Sequence, residues 1–348
     1  MNYFLLESIM RKIFKLLFLA TISIALINLA GCKKESSTPA AAASTSKTYN
    51  AAASEGELLE YTLDETNLTY SYKVTSSAVG INNDTHTGTL VKNADGTYTP
   101  SSAKDARVIV LPNKLVIGAT KLKINGADKQ TVIVGVPTTT NVQFSDIAGT
   151  YNYVSLQCLT SACNNSTGDP ESAYGTFNIS TSGNWVECTR SNYTAAPTNC
   201  AGRNSGTSNS LGNGKFQILS GEEDMGTGMF YYDSAGQKVM IIDLKNYLGD
   251  FGRGMMYGVP QKTLTFGAST DGNYYWNSTN GDSGSITVAG SKVTISDMEE
   301  EASTLKANTP WTGLMTIDDE GVAMLADEGA FMYVDTAEEN VMLVGLKK

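Results

Sequence analysis

The sequence predicts an all-β protein made of tandem repeated antiparallel β units, and three observations lead to this fold class. Short runs rich in Val, Ile, Thr, Tyr and Phe alternate with Gly, Asn, Asp and Ser from residue 57 to residue 348. No segment carries a sustained apolar stripe at helical spacing, and the best helical candidate is the short stretch 296–310. Several segments also align with one another in the order in which they occur along the chain.

Two of these alignments contain no gaps. "YYDSAGQKVMIIDLKN" (231–246) aligns with "YVDTAEENVMLVGLKK" (333–348), at a constant offset. "TGTLVKNADGTY" (87–98) aligns with "YGTFNISTSGNW" (174–185), so that glycines fall on glycines. Both alignments indicate hairpins that recur with the same turn chemistry.

A third alignment sets the boundaries of the repeat. "GVPTTTNVQFSDIAGTYNY" (135–153) aligns with "GVPQKTLTFGASTDGNYYW" (258–276) with one gap, and the segments that lead into the two Gly-Val-Pro motifs share a pattern. We therefore predict three β units, at 57–137, 138–260 and 261–348. Each unit is expected to open with a Gly-x-Tyr strand and to end in a hairpin of the "VMIID" type.

The sequence pattern leaves two ways in which these units could close. They could form separate small barrels or sandwiches, or they could be sectors of one closed propeller-like ring. We favour tandem small barrels or sandwiches.

The N-terminal residues 1–31 have the layout of an export signal. Basic residues precede an apolar run from 16 to 30, which is shorter than the roughly 20 residues of a membrane-spanning helix. The run ends in Leu29-Ala30-Gly31-Cys32, which resembles the lipobox of bacterial lipoproteins. The resemblance implies cleavage before Cys32, a diacylglyceryl group on its thiol and acylation of the new amino group. We interpret Met10 rather than Met1 as the start of this signal, because Glu7 lies in a region that should be basic.

The residues after the lipobox bear on localisation. In the lipoprotein family an Asp directly after the Cys favours retention in the inner membrane, and Lys33 stands there instead. The resemblance thus implies a lipid anchor in the outer membrane, with a periplasmic or a surface orientation left open. Residues 32–56 are small and polar, so we predict a lipidated N-terminus followed by a flexible tether.

Charge and cysteine usage agree with export. The formal net charge is −10, which argues against nucleic acid as a partner and against binding of anionic lipid through charge. Four cysteines lie close together in the second unit, an even number that predicts two disulfides: Cys158, Cys163, Cys188 and Cys200. Three pairings are possible, and we favour Cys158–Cys163 with Cys188–Cys200 because each closes a short loop. No metal ligand set and no cofactor are predicted.

One tetrapeptide, Gly-Asp-Ser-Gly around Ser283, resembles the nucleophile loop of chymotrypsin-like serine proteases. A serine nucleophile needs a base, and the single histidine of the chain is His86. The flanking residues of that family are absent at both positions, and the repeats align Gly284 with Gly88 and Gly175. We therefore interpret Ser283 as a strand entry, His86 as a loop residue, and predict no catalytic residue.

Acidic and aromatic residues form the remaining candidates. Four acidic clusters lack the alternating order of a calcium loop and are interpreted as hairpin tips: Glu222-Glu223-Asp224, Glu299-Glu300-Glu301, Asp318-Asp319-Glu320 and Glu338-Glu339. Exposed aromatic rings can stack on sugars, but in β proteins most of them pack across strands, so we expect a core role for Tyr151, Tyr153, Trp185, Tyr274, Tyr275, Trp276 and Trp311.

These features together predict an outer-membrane-anchored lipoprotein with a non-catalytic binding or scaffolding role at the cell envelope. That role would be adhesion, capture of a ligand or polymer, or contact with an envelope protein. Its partners would be the membrane, through the lipid on Cys32, and an envelope protein or glycan. The alternative is an envelope glycan hydrolase that uses loop carboxylates, for which no spacing in the sequence singles out a pair.

Overall fold

The computed structural model describes residues 46–348 apart from 104–105, 125, 139–142, 160–162, 164–169, 190–203, 247–251, 296–301, 319 and 337–340. Within these residues there are 24 β-strands and one four-residue helix, α1 (Phe144–Ile147). No helix in the described part of the chain is both long enough and apolar enough to cross a bilayer. The all-β prediction is confirmed.

Eight antiparallel strands form the first barrel, in the order β5-β4-β3-β2-β1-β8-β7-β6. Their bounds are β1 (Lys47–Ala53), β2 (Glu57–Asp64), β3 (Thr69–Ser77), β4 (Thr85–Lys92), β5 (Tyr98–Pro100), β6 (Ile109–Leu111), β7 (Leu115–Ile124) and β8 (Ala127–Pro137). Tyr98 and Val108 exchange two backbone hydrogen bonds of 2.7 and 2.8 Å across the gap between the edge strands. The first barrel is therefore nearly closed.

The second barrel is fully closed, since β16 pairs with β9. Its strands are β9 (Gly149–Cys158), β10 (Glu171–Ile179), β11 (Asn184–Thr189), β12 (Asn204–Gly212), β13 (Lys215–Ser220), β14 (Glu223–Tyr232), β15 (Lys238–Leu244) and β16 (Arg253–Pro260). Helix α1 lies in the connection that precedes β9.

The third barrel is also closed, through pairing of β24 with β17. Its strands are β17 (Gly272–Ser278), β18 (Ser283–Ala289), β19 (Lys292–Ile295), β20 (Ser303–Ala307), β21 (Met315–Ile317), β22 (Gly321–Leu325), β23 (Ala330–Asp335) and β24 (Met342–Lys347). The three units are thus separate small barrels in tandem, and the propeller-like ring was the wrong alternative.

The tether predicted up to residue 56 is too long. Strand β1 lies within it and pairs with both β2 and β8 of the first barrel. Tyr49, Ala51 and Ala53 face the interior of that barrel, whereas Ala52 faces the opposite side, and all four are buried. A strand that is covered on both faces can be built from small residues. The alanine-rich sequence of β1 therefore has the low hydrophobicity that is also typical of a linker. The rest of the predicted tether, with Cys32, lies outside the described residues.

The pairing registers show that the three barrels are equivalent strand by strand. Tyr49, Tyr151 and Tyr274 hold the same position in the first strand of each barrel, where their partners on the second strand are Tyr61, Phe177 and Ile286. The same register continues to the last strand, where Gly135, Gly258 and Gly345 lie opposite Val116, Met240 and Phe331. Barrel closure thus repeats one pattern three times.

This register corrects two of the sequence alignments. Gly175 and Gly284 are equivalent, since they pair with Tyr153 and Trp276, but Gly88 lies on the fourth strand of its barrel. Gly88 pairs with Tyr70 and is instead equivalent to Gly206. The hairpins 231–246 and 333–348 likewise differ by one strand within their barrels. Glycines lie opposite aromatic residues at several positions. Hairpins that are not equivalent therefore have similar sequences, and the alignments matched them.

Four apolar clusters hold the body together, one inside each barrel and a central one between the barrels. Successive residues of a strand face different clusters, as Tyr153 faces the second-barrel interior and Val154 the central cluster. Val134 of the first barrel and Met332 of the third meet the same central cluster. The outer faces of strands from all three barrels therefore share one apolar core.

Polar contacts also join the barrels. Asn152 of β9 accepts a hydrogen bond of 2.9 Å from the Trp311 indole N–H and donates one of 2.8 Å to the Thr312 carbonyl. Arg107 and Asn277 exchange two hydrogen bonds, of 2.9 and 3.1 Å, between the first and third barrels. Residues 46–348 accordingly fall within one compact unit.

Candidate functional site

The interior of the second barrel is filled by aromatic rings. Phe177 stacks on Trp185 at 5.6 Å between ring centroids, and Phe216 stacks on Phe230 at 5.0 Å. All four rings are buried, and Phe144 of α1 packs edge-on against Phe216 at the end of the barrel. Large rings therefore occupy these four positions in the interior of the second barrel.

The first barrel is filled in a similar way. Tyr61 and Tyr70 stack at 6.0 Å, and Tyr98 is buried beside them in the same cluster. By register, Tyr61 is equivalent to Phe177, Tyr70 to Trp185 and Tyr98 to Phe216. An aromatic ring therefore occupies each of these three positions in both barrels.

The third barrel has aliphatic side chains at the same positions. Ile286 lies opposite Tyr274 as Phe177 lies opposite Tyr151, and Val293 lies opposite Val288 as Trp185 lies opposite Ile179. The remaining two rings of the second barrel, Phe216 and Phe230, have Met315 and Leu325 as their equivalents.

The smaller side chains leave a cavity of about 50 Å³ inside the third barrel. It is lined almost entirely by apolar groups, among them Ile286, Val293, Leu305, Met315, Leu325 and Phe331. Phe331 holds the position of Met240 in the second barrel, and its larger side chain fills only part of the space that the smaller residues leave. An apolar cavity of this kind stays dry and accepts apolar guests.

The segment that precedes β17 contributes Phe266 and Thr270 to the lining of this cavity. The Tyr274 hydroxyl donates a hydrogen bond of 2.5 Å to the Thr270 carbonyl, as the Tyr151 hydroxyl donates one of 2.7 Å to Ile147. Thr270 therefore takes the place of an isoleucine, and its hydroxyl donates a hydrogen bond of 3.1 Å to the Gly267 carbonyl and accepts one of 2.9 Å from the Gly267 N–H. Burial, followed by the nearby Asp271 charge, raises the pKa of Tyr274 to about 12. Because Tyr274 is the one titratable group among the described lining residues and stays protonated, this site is suited to binding rather than to acid–base chemistry.

The predicted cysteine and lipid sites are only partly covered by the described residues. Cys158 and Cys163 form a disulfide with a Cα–Cα distance of 5.0 Å, as predicted. Cys188 is buried on β11. Its predicted pairing with Cys200 stays a prediction, because Cys200 lies outside the described residues. Cys32, the predicted lipid site, lies outside them as well. Within the described residues, one group of potential metal ligands lies close together and consists of Glu55, Cys158 and Cys163. Because the two cysteines form a disulfide, neither offers a thiolate to a metal ion.

The structure places Ser283 and His86 on different barrels. The interpretation of His86 as a loop residue was wrong, because it lies on β4 and pairs with Tyr72 of β3. Its Nε2 atom is 3.2 Å from the Tyr70 hydroxyl, and its ring stacks on Tyr72. Ser283 begins β18 in the third barrel and pairs with Asn277. The strand entry predicted at Ser283 is therefore observed.

The acidic clusters lie at turns where the structure describes them. Asp224 follows the turn between β13 and β14 and forms an ion pair of 2.5 Å with Lys245. Asp318 follows β21 and accepts a hydrogen bond of 2.7 Å from the Thr304 N–H. Clusters 299–301 and 338–339 lie outside the described residues, and glycan hydrolysis by loop carboxylates stays a prediction.

The predicted core role of the aromatic residues is confirmed for most of them. Tyr151, Tyr153, Trp185 and Tyr274 are buried inside barrels, whereas Trp311 is buried in the central cluster. Tyr275 and Trp276 are half-buried.

Sequence reasoning missed a group of buried charges between the first and second barrels. The Arg253 side chain is fully buried, donates a hydrogen bond of 3.1 Å to the Glu55 carbonyl and forms an ion pair of 3.2 Å with its carboxylate. Glu57 and Asp243 are also fully buried. The signal available in the sequence was a single charge inside an apolar strand, as Asp243 is in "VMIIDL".

Burial dominates the titration of these two acids. Desolvation, then the Glu55 charge, raises the pKa of Glu57 to about 8, and the Arg253 charge opposes this shift. Desolvation, followed by the Glu57 charge, also raises the pKa of Asp243, with Lys245 in opposition. Among the described residues, neither Asp243 carboxyl oxygen has a hydrogen-bond partner. Carboxyls without access to solvent cannot contact a glycan, so we treat this group as structural.

Comparison with known proteins does not assign the chain to a family. No family model matches it, and no curated protein matches it significantly. Among solved structures, it aligns with a protein of unknown function from the DUF3598 family of Nostoc punctiforme at 10% identity and a TM-score of 0.17, covering 87% of this chain and 94% of that chain. It also aligns with Caulobacter crescentus pol III beta at 8% identity and a TM-score of 0.12, covering 87% and 91%. At these TM-scores neither likeness bears on fold or function.

Proposed function

We propose that the chain is an outer-membrane lipoprotein, anchored through Cys32, whose three-barrel body has a non-catalytic binding role at the cell envelope. The observation that carries the binding role is the cavity of the third barrel, which is lined by smaller side chains at positions where the other two barrels have aromatic rings. The lipobox-like residues 29–32 support the anchor.

The packing of the body supports a rigid binding module. The central cluster joins the outer faces of all three barrels, and buried side chains such as Asn152 link one barrel to the next. A domain held in this way presents its sites in a constant arrangement. The lining of the cavity supplies apolar contacts, and its tyrosine keeps its proton, which agrees with capture of a ligand rather than with catalysis.

The anchor is tested by Cys32→Ser. This variant should lose palmitate labelling and accumulate as an uncleaved precursor, whereas Ser36→Ala, a matched change four residues later, should be labelled and processed normally. Normal labelling of Cys32→Ser would refute the anchor. Protease treatment of intact cells then distinguishes a surface from a periplasmic orientation.

A further inference from the structure

We propose that the third barrel binds a small uncharged amphiphile, with its alkyl end inside the barrel and its hydroxyl head in the polar pocket next to it. This inference rests on the proposed binding function and gives that function a ligand class. It follows from the cavity together with a second, polar pocket that adjoins it.

The two pockets share two residues, Thr270 and Leu325. The second pocket has a volume of about 170 Å³ and is lined mainly by polar side chains, including Lys262, Thr265 and Asp327. An apolar compartment thus lies beside a polar one, with Thr270 and Leu325 in the lining of both. A molecule that fills both compartments needs an apolar end and a polar end.

The size of the inner compartment sets the length of the apolar end. A cavity of about 150 Å³ holds benzene in an engineered protein. The third-barrel cavity has about 50 Å³, which suits a few methylene groups rather than a ring. Each methylene that moves out of water strengthens binding, so a short alkyl chain gives measurable affinity.

The charges around the outer compartment select an uncharged head. The Lys262 ammonium forms an ion pair with Asp327. The electrostatic environment of Lys262 also includes Asp233 and Glu328. These carboxylates disfavour an anionic head, and a cationic head would have to compete with the Lys262 ammonium that already lies beside them. A hydroxyl can exchange hydrogen bonds with the Thr263 and Thr265 hydroxyls that line this pocket, without displacing the ion pair.

The test is a titration of the protein, as purified from its producing cells, with 1-hexanol. Methyl signals of Ile286, Val293 and Leu325 should shift in a saturable manner, while the Ile242 methyls in the second barrel stay unchanged. Hexane-1,6-diol, which has no apolar end, should cause at least tenfold weaker shifts. Equal shifts with both alcohols, or shifts spread over all three barrels, would overturn the proposal.

Two variants of β19 provide the matched comparison. Val293→Phe restores a ring where the second barrel has Trp185, and should weaken 1-hexanol binding at least tenfold. Thr294→Phe makes the same kind of change on the exposed side of the strand and should leave binding unchanged. Ile286→Phe fills the same cavity from β18 and serves if Val293→Phe does not fold. Undiminished binding in a folded cavity-filled variant would overturn the proposal.

The outcome is separable from that of the lipid anchor. Palmitate labelling reports on Cys32 alone, whereas the methyl shifts report on the interior of the third barrel. A negative result in the palmitate labelling would not affect the interpretation of the methyl shifts, and the reverse also holds.

Discussion

Val293 holds in the third barrel the position that Trp185 holds in the second. Each lies on the third strand of its barrel, opposite the aliphatic residue Val288 or Ile179 of the second strand. Trp185 fills the interior of its barrel and donates hydrogen bonds of 3.1 Å to the carbonyls of Thr207 and Leu219. The valine does neither, and a cavity lies beside it.

Trp185→Val should convert the second barrel into a counterpart of the third. We expect a loss of about 3 kcal/mol in the free energy of unfolding, because a large buried ring is removed and a cavity is left. Chemical denaturation measures this loss, and Trp276→Val, at a half-buried position, should cost less. A loss below about 1 kcal/mol would show that the ring does not support the barrel.

Val293→Phe should stabilise the ligand-free protein. Filling a cavity of about 50 Å³, at about 24 cal/mol per Å³, contributes roughly 1 kcal/mol if the ring fits without strain. The thermal midpoint should rise accordingly, whereas Thr294→Phe on the exposed face should leave it nearly unchanged. A lowered midpoint would mean that the barrel cannot accept the ring without displacement of its neighbours.

Stability should fall as the pH rises, because of Glu57. Its pKa is raised from 4.5 to about 8 in the folded protein, so between these values the folded state binds more protons than the unfolded state. The contribution of Glu57 is therefore fully present below about pH 4.5 and is lost as the pH approaches 8. One such group changes the free energy of unfolding by at most about 1.4 kcal/mol per pH unit.

Glu57→Gln tests this pH dependence. The variant should show a flatter decline of stability between pH 5 and 8, with the remaining slope in part due to Asp243, whose pKa is raised in the same direction. Glu60→Gln, an exposed position on the same strand, should keep the wild-type slope. Denaturation curves at several pH values measure the slope of the free energy of unfolding against pH. Equal slopes for the two variants would contradict the role of Glu57.

Asn152→Ala should weaken the junction between the second and third barrels. It removes the acceptor of the Trp311 indole N–H and the donor to the Thr312 carbonyl, both at a buried junction. A buried group left without its partner costs about 1–3 kcal/mol. The free energy of unfolding should fall by this amount, and hydrogen exchange should rise in the third barrel. Asn178→Ala, whose hydrogen bond to Thr150 stays within one barrel, should affect the junction much less.

The sequence was most informative where the signal is local. Alternating β-branched and aromatic runs predicted the all-β fold, and a short spacing predicted the Cys158–Cys163 disulfide. The Gly-Val-Pro motifs mark the ends of β8 and β16. The buried aromatic residues followed from the general tendency of rings to pack across strands.

The alignments failed where equivalence depends on barrel closure. Gly88 and Gly175 have similar neighbours in sequence, but one lies on the fourth strand of its barrel and the other on the second. Strand β1 was assigned to the tether because its alanines carry little hydrophobic signal, although neighbours bury them on both faces. The buried charges of Glu57, Asp243 and Arg253 also depend on contacts between barrels.

By itself, the sequence determined the strand-forming pattern, the threefold repetition and the lipobox-like motif that predicts a lipid anchor on Cys32. Only the tertiary structure decided which strands are equivalent, and therefore that Val293 stands where Trp185 does. The physical reason is that strand propensity and turn chemistry act between neighbours in the chain. Pairing register and interior volume are set instead by strands that meet only when each barrel closes.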